Sequence, residues 1–205
     1  MAAKQKRLTG EQRRKEIIRS AMEVFARKGF SGSTTRRIAE SAGISEAMIY
    51  SHFQNKEDLY AAIIDEKLRR NEQLFSPVEA MLKKDDRQVF TTIVSNFLHQ
   101  HSGDTTFMRL LLFSALEDHE LARMFMAGPM TRFFTHLGDY IQQRCDDGAF
   151  RPINPAMAAR SLLGMAVYSV LLREIYGDQA LQSLSLDETV EAIVTTFCEG
   201  IQANP

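Results

Sequence analysis

Along the chain, apolar side chains recur at the period of an α-helix and almost nowhere alternate as in a strand. Between Thr9 and Lys28 the positions Ile17, Ile18, Ala21, Met22, Val24 and Phe25 form one stripe. Thr9 offers a cap and Gly29 a stop. A short second helix is predicted over 35–42, with Ile38 and Ala39 inward, and Gly43 then supplies a turn residue that tolerates positive φ. Ser45 caps a third helix, predicted to run to about Phe53. Asn55 opens a fourth, and Asp58 three residues on makes a weak variant of the capping box.

Beyond about Leu74 the texture changes. Ser76-Pro77 marks a helix start, and Lys83-Lys84-Asp85-Asp86 is a polar break. Val89, Phe90, Ile93, Val94, Phe97 and Leu98 form the next stripe, which His101-Ser102-Gly103 ends. Asp104 is placed to cap a helix carrying Phe107, Leu110, Leu111 and Leu112. Gly128-Pro129 divides a further long segment, closed by Asp147-Gly148. Pro155 begins a largely apolar helix to about Tyr176. The last starts at Leu186 or Asp187, with Val190, Ile193, Val194, Phe197 and Ile201 on one face. The pattern predicts an all-α chain of about nine helices without a sheet, repeat or long linker.

Composition narrows the class. Apolar residues make up 44% and charged residues 25% of the 205 positions, the mix of a soluble globular protein. No stretch stands out as long and apolar enough for a membrane span, so no membrane partner and a cytoplasmic location are expected. Cys145 and Cys198 lie far apart without metal-ligand spacing, which predicts two free thiols on or near helix surfaces, with no zinc site or disulfide framework. The net charge of −1 conceals an asymmetry: residues 1–45 carry eleven Lys/Arg against four acids, leaving −8 for the remaining 160. A basic head on an acidic body suggests that one end meets a polyanion. Charge alone also fits a solvated basic helix face.

Residues 33–60 carry the strongest signal. Two short helices joined at Gly43 can cross steeply only over a small residue, and Ala39 provides it. Ile38, Ala42, Ile44 and Ile49 would fill the core between them. Glu46, Ala47, Tyr50 and Ser51 would share one exposed face, narrow enough for a major groove. The stretch resembles the DNA-binding domain of the TetR/AcrR family of regulators, through Thr34, Thr35, Ile38, Ala39, Ala42, Gly43, Ser45, Ile49, Tyr50, His52, Phe53, Lys56 and Leu59. The preceding Ile17, Ala21, Phe25 and Gly29-Phe30 match the family's first helix. The resemblance spans about residues 10–65, and the remainder is similar only in length and helical character.

The resemblance implies a basic arm at 1–9, a helix-turn-helix domain at 10–70 with its motif at 34–53, and an effector-binding and dimerisation domain at 71–205. It implies that Thr34 and Thr35 hold phosphates at the start of the second helix, that Tyr50 and His52 contact the DNA backbone, and that Lys56 clamps another phosphate. None of these contacts reads sequence. Base reading falls to Glu46, Ala47, Met48 and Ser51, beside the cap Ser45. Here the chain departs from the family pattern: Glu46 stands where a basic residue is frequent, Ala47 replaces the usual glycine, and Met48 a common Thr or Ser. A carboxylate can accept from a cytosine amino group, and methionine can meet a thymine methyl. Glu46 therefore either tunes specificity or weakens nonspecific attraction.

Other signals are weaker. Lys4, Lys6 and Arg7 suit a minor-groove arm or a solvated tail. His99, His101, His119 and His136 lack a paired acid, so no metal or cofactor is expected. Ten methionines and thirteen phenylalanines suit an adaptable apolar cavity as well as an ordinary core. Phe97, His101, Phe107, Met108, Arg109, Phe134 and Tyr168 are the candidate lining, with Arg132, His136 and Arg173 as further polar anchors. Leu163, Val167, Val170 and Leu171, with Ile193 and Phe197, are the expected dimer interface, a four-helix bundle shared by two chains. The expected partners are near-palindromic double-stranded operator DNA, a small-molecule effector and a second copy of the chain. Two other readings stand beside a ligand-released repressor: a DNA-organising protein of the same fold without a ligand, and an all-helical enzyme. The latter lacks a phosphate loop, nucleophile elbow or metal motif.

Overall fold

The computed structural model describes residues 8–71 and 77–203, apart from the side chains of 67–71 and 121. The arm residues Lys4, Lys6 and Arg7 and the start signal at Ser76 lie outside the described residues. The described chain is α-helical, its nearest approach to a sheet being a single bridge between Phe150 and Gln202.

Contacts divide the chain into two units, residues up to 69 with 106–125 and residues 70–105 with 126 onward. The first unit holds α1 (Gly10–Lys28), α2 (Thr35–Ala42), α3 (Glu46–Tyr50) and α4 (Lys56–Asn71, to residue 69), with α7 (Thr106–Leu116) and α8 (Glu120–Phe125). The caps follow the sequence. Thr9 and Gln12 close a capping box on α1, Thr34 accepts from the Arg37 N–H on α2, and Ser45 accepts from the Met48 N–H on α3. Each such cap is worth about 1 kcal/mol. Gly43 ends α2 at φ 64, a conformation costly for any residue with a Cβ. At Asn55 the weak box forms one residue out of step: Asn55 accepts from the Asp58 N–H, while Asp58 accepts from Gln54. The third helix is shorter than predicted. It stops at Tyr50 because the chain turns there to bury Phe53. The core joins Ile17, Ala21 and Phe25 of α1, Ile38 of α2, Ile49 of α3, Leu59 and Ile63 of α4, and Phe107 and Leu110 of α7.

The second unit contains α5 (Val78–Leu82), α6 (Asp86–His101), α9 (Thr131–Asp146), α10 (Pro155–Val170), α11 (Gln179–Ser183) and α12 (Leu186–Ile201). The α6 stripe is buried as predicted, against α10 and α12. Phe90 meets Phe197 edge-on at 4.9 Å. Four expectations need correction, the first only in part. Gly128-Pro129 divides α8 from α9 as predicted, but inside a π-helical turn, Met126–Met130, and not in a non-helical break. The apolar helix from Pro155 is α-helical only to Val170, and Leu171–Tyr176 is a π-helical turn. Cys198 is a core residue, its thiol pushed up by burial. Finally, Pro155–Tyr176 does have the length and apolarity of a membrane span, with 33% of its most apolar window buried in the chain. Its inward face is apolar, and its exposed positions mix Met157, Gly164 and Tyr168 with Arg160 and Ser161.

Candidate nucleic-acid interface

The first unit presents α2 and α3 with a set of exposed groups. On α3 and its C-cap Ser51, the residues Ala47, Met48, Tyr50 and Ser51 are exposed, with Met48 at 41% and Tyr50 at 52%. Thr34 is exposed at the start of α2. Ser51 turns its hydroxyl back onto the Met48 carbonyl, 2.8 Å away, which leaves Met48 and Tyr50 as the reaching side chains. His52 is half-buried, with its ring 6.5 Å from that of Phe53. Ser45 is also exposed, its hydroxyl taken up by the α3 cap, where it accepts from the Met48 N–H.

Two predicted contact residues are engaged within the protein. The Lys56 ammonium donates to the carbonyls of Phe30 at 2.9 Å and Ser33 at 3.1 Å, and sits 3.8 Å from the centre of the Phe30 ring. It therefore fixes the α1–α2 loop. Glu46, expected on the exposed face, is half-buried because its carboxylate accepts the Thr35 hydroxyl proton. Tyr50 closes the group, its hydroxyl 3.2 Å from Thr35 Oγ1. Thr35, Glu46 and Tyr50 are thus brought together, a link between helices that periodicity does not reveal. Arg14 lies over the Phe53 ring at 4.7 Å, and Arg37 donates to the Gly32 carbonyl. Both hold cations close to this surface.

The remaining predicted sites are dispersed. Phe97, His101, Phe134 and Tyr168 belong to the second unit; Phe107, Met108 and Arg109 belong to the first. His101 is buried and stacks on Phe97 at 4.5 Å, whereas Tyr168 and Arg109 are exposed. Arg173 is engaged by the carbonyls of Leu181 and Leu184. A small cleft in the second unit, lined by Leu98, Ser102, Val170, Arg173, Glu174 and Thr189, has room for about one water. Of the expected dimer residues, Leu163, Val170, Ile193 and Phe197 are buried in the body's own core, while Val167 and Leu171 keep exposed area.

Residues 17–63 match the family described as bacterial regulatory proteins of the tetR family, and residues 79–200 match the AefR-like transcriptional repressor C-terminal domain. The chain belongs to the TetR family. This TetR-family chain is a DNA-binding transcriptional regulator with a helix-turn-helix head. The HTH-type transcriptional regulator YvkB of Bacillus subtilis is 25% identical over 191 residues, 93% of this chain and 97% of YvkB. The fold is shared with AibR, solved with isovaleryl coenzyme A and operator DNA, at TM-score 0.72 and 20% identity, covering 90% of this chain and 97% of AibR. It is also shared with FadR of Bacillus subtilis, solved with stearoyl-CoA, at TM-score 0.70 and 19% identity, covering 92% and 99%.

Proposed function

We propose that this TetR-family chain is a cytoplasmic repressor that binds a near-palindromic operator as a homodimer and releases it when an acyl thioester, or a similar amphipathic molecule, binds the body. The observation that carries the reading is the face made by Thr34, Thr35, Ala47, Met48 and Tyr50 on α2 and α3. Hydroxyls there suit the phosphate backbone and set register, while Ala47 and Met48 are the side chains for base edges. His52 and Lys56 support the same surface, Lys56 by holding the loop that precedes Thr34.

The dimer is assigned to α10 and α12. Exposed Met157, Ser161, Gly164 and Tyr168 recur at steps of four, three and four along α10, the spacing of one helix stripe. On α12 the exposed Ala192, Thr196 and Gly200 recur every four residues. A stripe that alternates large Met157 and Tyr168 with small Ser161 and Gly164, beside a small-residue stripe on α12, suits a second copy packed closely against it. A two-fold dimer presents two recognition helices to successive major grooves, which makes the operator near-palindromic.

The acyl-thioester class is supported by the shared fold of AibR and FadR, each solved with an acyl-CoA. The cleft described above is too small for such a molecule, so binding requires the body to open. That requirement supplies the switch, because a ligand shifts an equilibrium only by its differential affinity for two states. A differential of about 3 kcal/mol lowers operator affinity roughly a hundredfold. The test is selection of a binding site from random DNA, followed by titration of the complex with short- and long-chain acyl-CoAs. Release by one class at micromolar concentration is expected. Ligands that raise the melting temperature but leave operator affinity unchanged would refute the switch.

A further inference from the structure

The Thr35–Glu46–Tyr50 group has a direction. A threonine hydroxyl has one proton to give, and in this structure Thr35 gives it to Glu46. The Tyr50 hydroxyl is then the donor across its 3.2 Å contact with Thr35 Oγ1. Hydrogen bonds therefore run from Tyr50 to Thr35 to Glu46, and both hydroxyl protons on this corner of the face already have an anionic terminus. We propose that Glu46 is a built-in competitor of the DNA backbone: its carboxylate holds the donors that a phosphate would take, and must swing aside before the phosphate can bind. The proposal rests on the reading that the α2–α3 face meets DNA.

Two physical consequences separate this role from base reading. A carboxylate and a phosphate are both anions that only accept, so they cannot share the Thr35 proton and they repel each other at that distance. A phosphate is also the same at every step of the duplex, so displacing Glu46 weakens binding to all sequences alike. A base reader instead changes preference at one position. Glu46 thereby lowers affinity for operator and nonspecific DNA by the same factor and leaves the base contacts that choose the operator untouched.

The experiment measures fluorescence anisotropy at fixed salt with two labelled duplexes, one carrying the site selected from random DNA and one unrelated. Wild type is compared with Glu46→Ala, Glu46→Gln and Thr35→Val, and with the last combined with each of the others. Glu46→Ala is expected to tighten both duplexes by about the same factor, roughly tenfold, or about 1.4 kcal/mol. Glu46→Gln gives a smaller gain, since the amide still accepts from Thr35 but carries no charge. In the Thr35→Val background the gain shrinks. A gain in affinity cannot come from a misfolded variant. Equal or weaker binding by both Glu46 variants, or a change confined to one base pair of the selected motif, would overturn the proposal while leaving the DNA-binding face intact. Failure of the wild type to bind either duplex would overturn both.

Discussion

The carboxylate of Glu117 accepts the backbone N–H of Phe30 at 2.8 Å, across 87 residues of sequence. The same oxygen lies 3.4 Å from the Ser31 nitrogen, and the neighbouring His119 ring packs 4.1 Å from that of Phe30. Lys56 meanwhile donates to the Phe30 carbonyl. The backbone of Phe30 is therefore held at both polar ends, its N–H by an anion from the α7–α8 turn and its C=O by a cation from α4. The α1–α2 loop leads directly into Thr34 and Thr35, so this pair of contacts helps aim the candidate phosphate donors.

Removing the anion should loosen the head. Glu117→Ala is expected to cost about 1–2 kcal/mol, the range for losing a hydrogen bond to a charged group. Gly29→Ala should cost at least as much, for two reasons. Gly29 has φ 69, and a Cβ there would collide with the Glu117 carboxylate. In the Glu117→Ala background the clash disappears and only the strain of a positive-φ, extended backbone that glycine alone adopts readily remains, about 1–3 kcal/mol. Urea denaturation of the two single variants and the double variant measures this; simple additivity would contradict it.

Lys56 and Tyr50 should separate by readout. Lys56→Met frees two carbonyls and removes the cation from the Phe30 ring, so it should lower the stability of the head by about 1–2 kcal/mol as well as weaken DNA binding. Tyr50→Phe, on a half-exposed side chain, should leave stability within about 0.5 kcal/mol. It should weaken binding to all sequences by about 1 kcal/mol. Thermal melts and duplex titrations on the same samples check both. Loss of sequence preference in Tyr50→Phe would contradict a backbone contact.

Tyr60 gives the head an alkaline limit. Its ring is fully buried and its hydroxyl lies 3.4 Å from the Leu110 carbonyl. Burial pushes its pKa from 10 up to about 12, with the Ser114 hydrogen bond opposing and the Glu117 charge adding to the rise. Because the folded state holds this proton more tightly than the unfolded chain, the stabilisation is fully present below about pH 10 and is lost as pH rises towards 12. Tyr60→Phe should flatten the fall in stability over that window. Urea midpoints for both proteins at pH 9, 10.5 and 11.5 would show it, and parallel curves would reject it.

What could be read from the residues was what depends on near neighbours. The bounds of α2, the turn at Gly43 and the caps Thr9 and Ser45 rest on interactions within four or five positions, and they stand where the pattern placed them. The π-helical turn at Leu171–Tyr176 was not legible, since apolar residues continue through it without a change of period. Nor was the grouping of α7 with the head, because a stripe such as Phe107 and Leu110 states that a face is buried but not against which partner. The candidate site divides in the same way. Thr34, Thr35 and Tyr50 came from the motif and Met48 from its place in the recognition helix, whereas the engagement of Thr35 by Glu46 and of Phe30 by Lys56 joins residues 11 and 26 positions apart. Asp86 similarly gathers Tyr140 and a two-pronged contact from Arg144 and holds the Arg144 cation, while burial first, and the Asp86 hydrogen bond after it, raise the Tyr140 hydroxyl above its ordinary range.

Gly164 offers a direct test of the proposed dimer. It lies in the exposed α10 stripe between Ser161 and Tyr168, and a Cβ built on it meets nothing within 4 Å in its own chain. A larger side chain there is therefore compatible with the folded chain and removes a helix-interior glycine, which should stabilise α10 by up to about 1 kcal/mol. A partner helix packed against the same stripe would instead meet a long charged side chain where the backbone was bare. Gly164→Arg should thus convert a dimer to a monomer at micromolar concentration with no loss of helicity by circular dichroism. Operator affinity should fall with it, because each head then binds its half-site alone and the gain from linked binding disappears. Sedimentation velocity and duplex titration on the same preparation read out both effects. A Gly164→Arg protein that sediments as the wild-type dimer would place the interface elsewhere, and a wild type that sediments as a monomer would remove the dimer altogether.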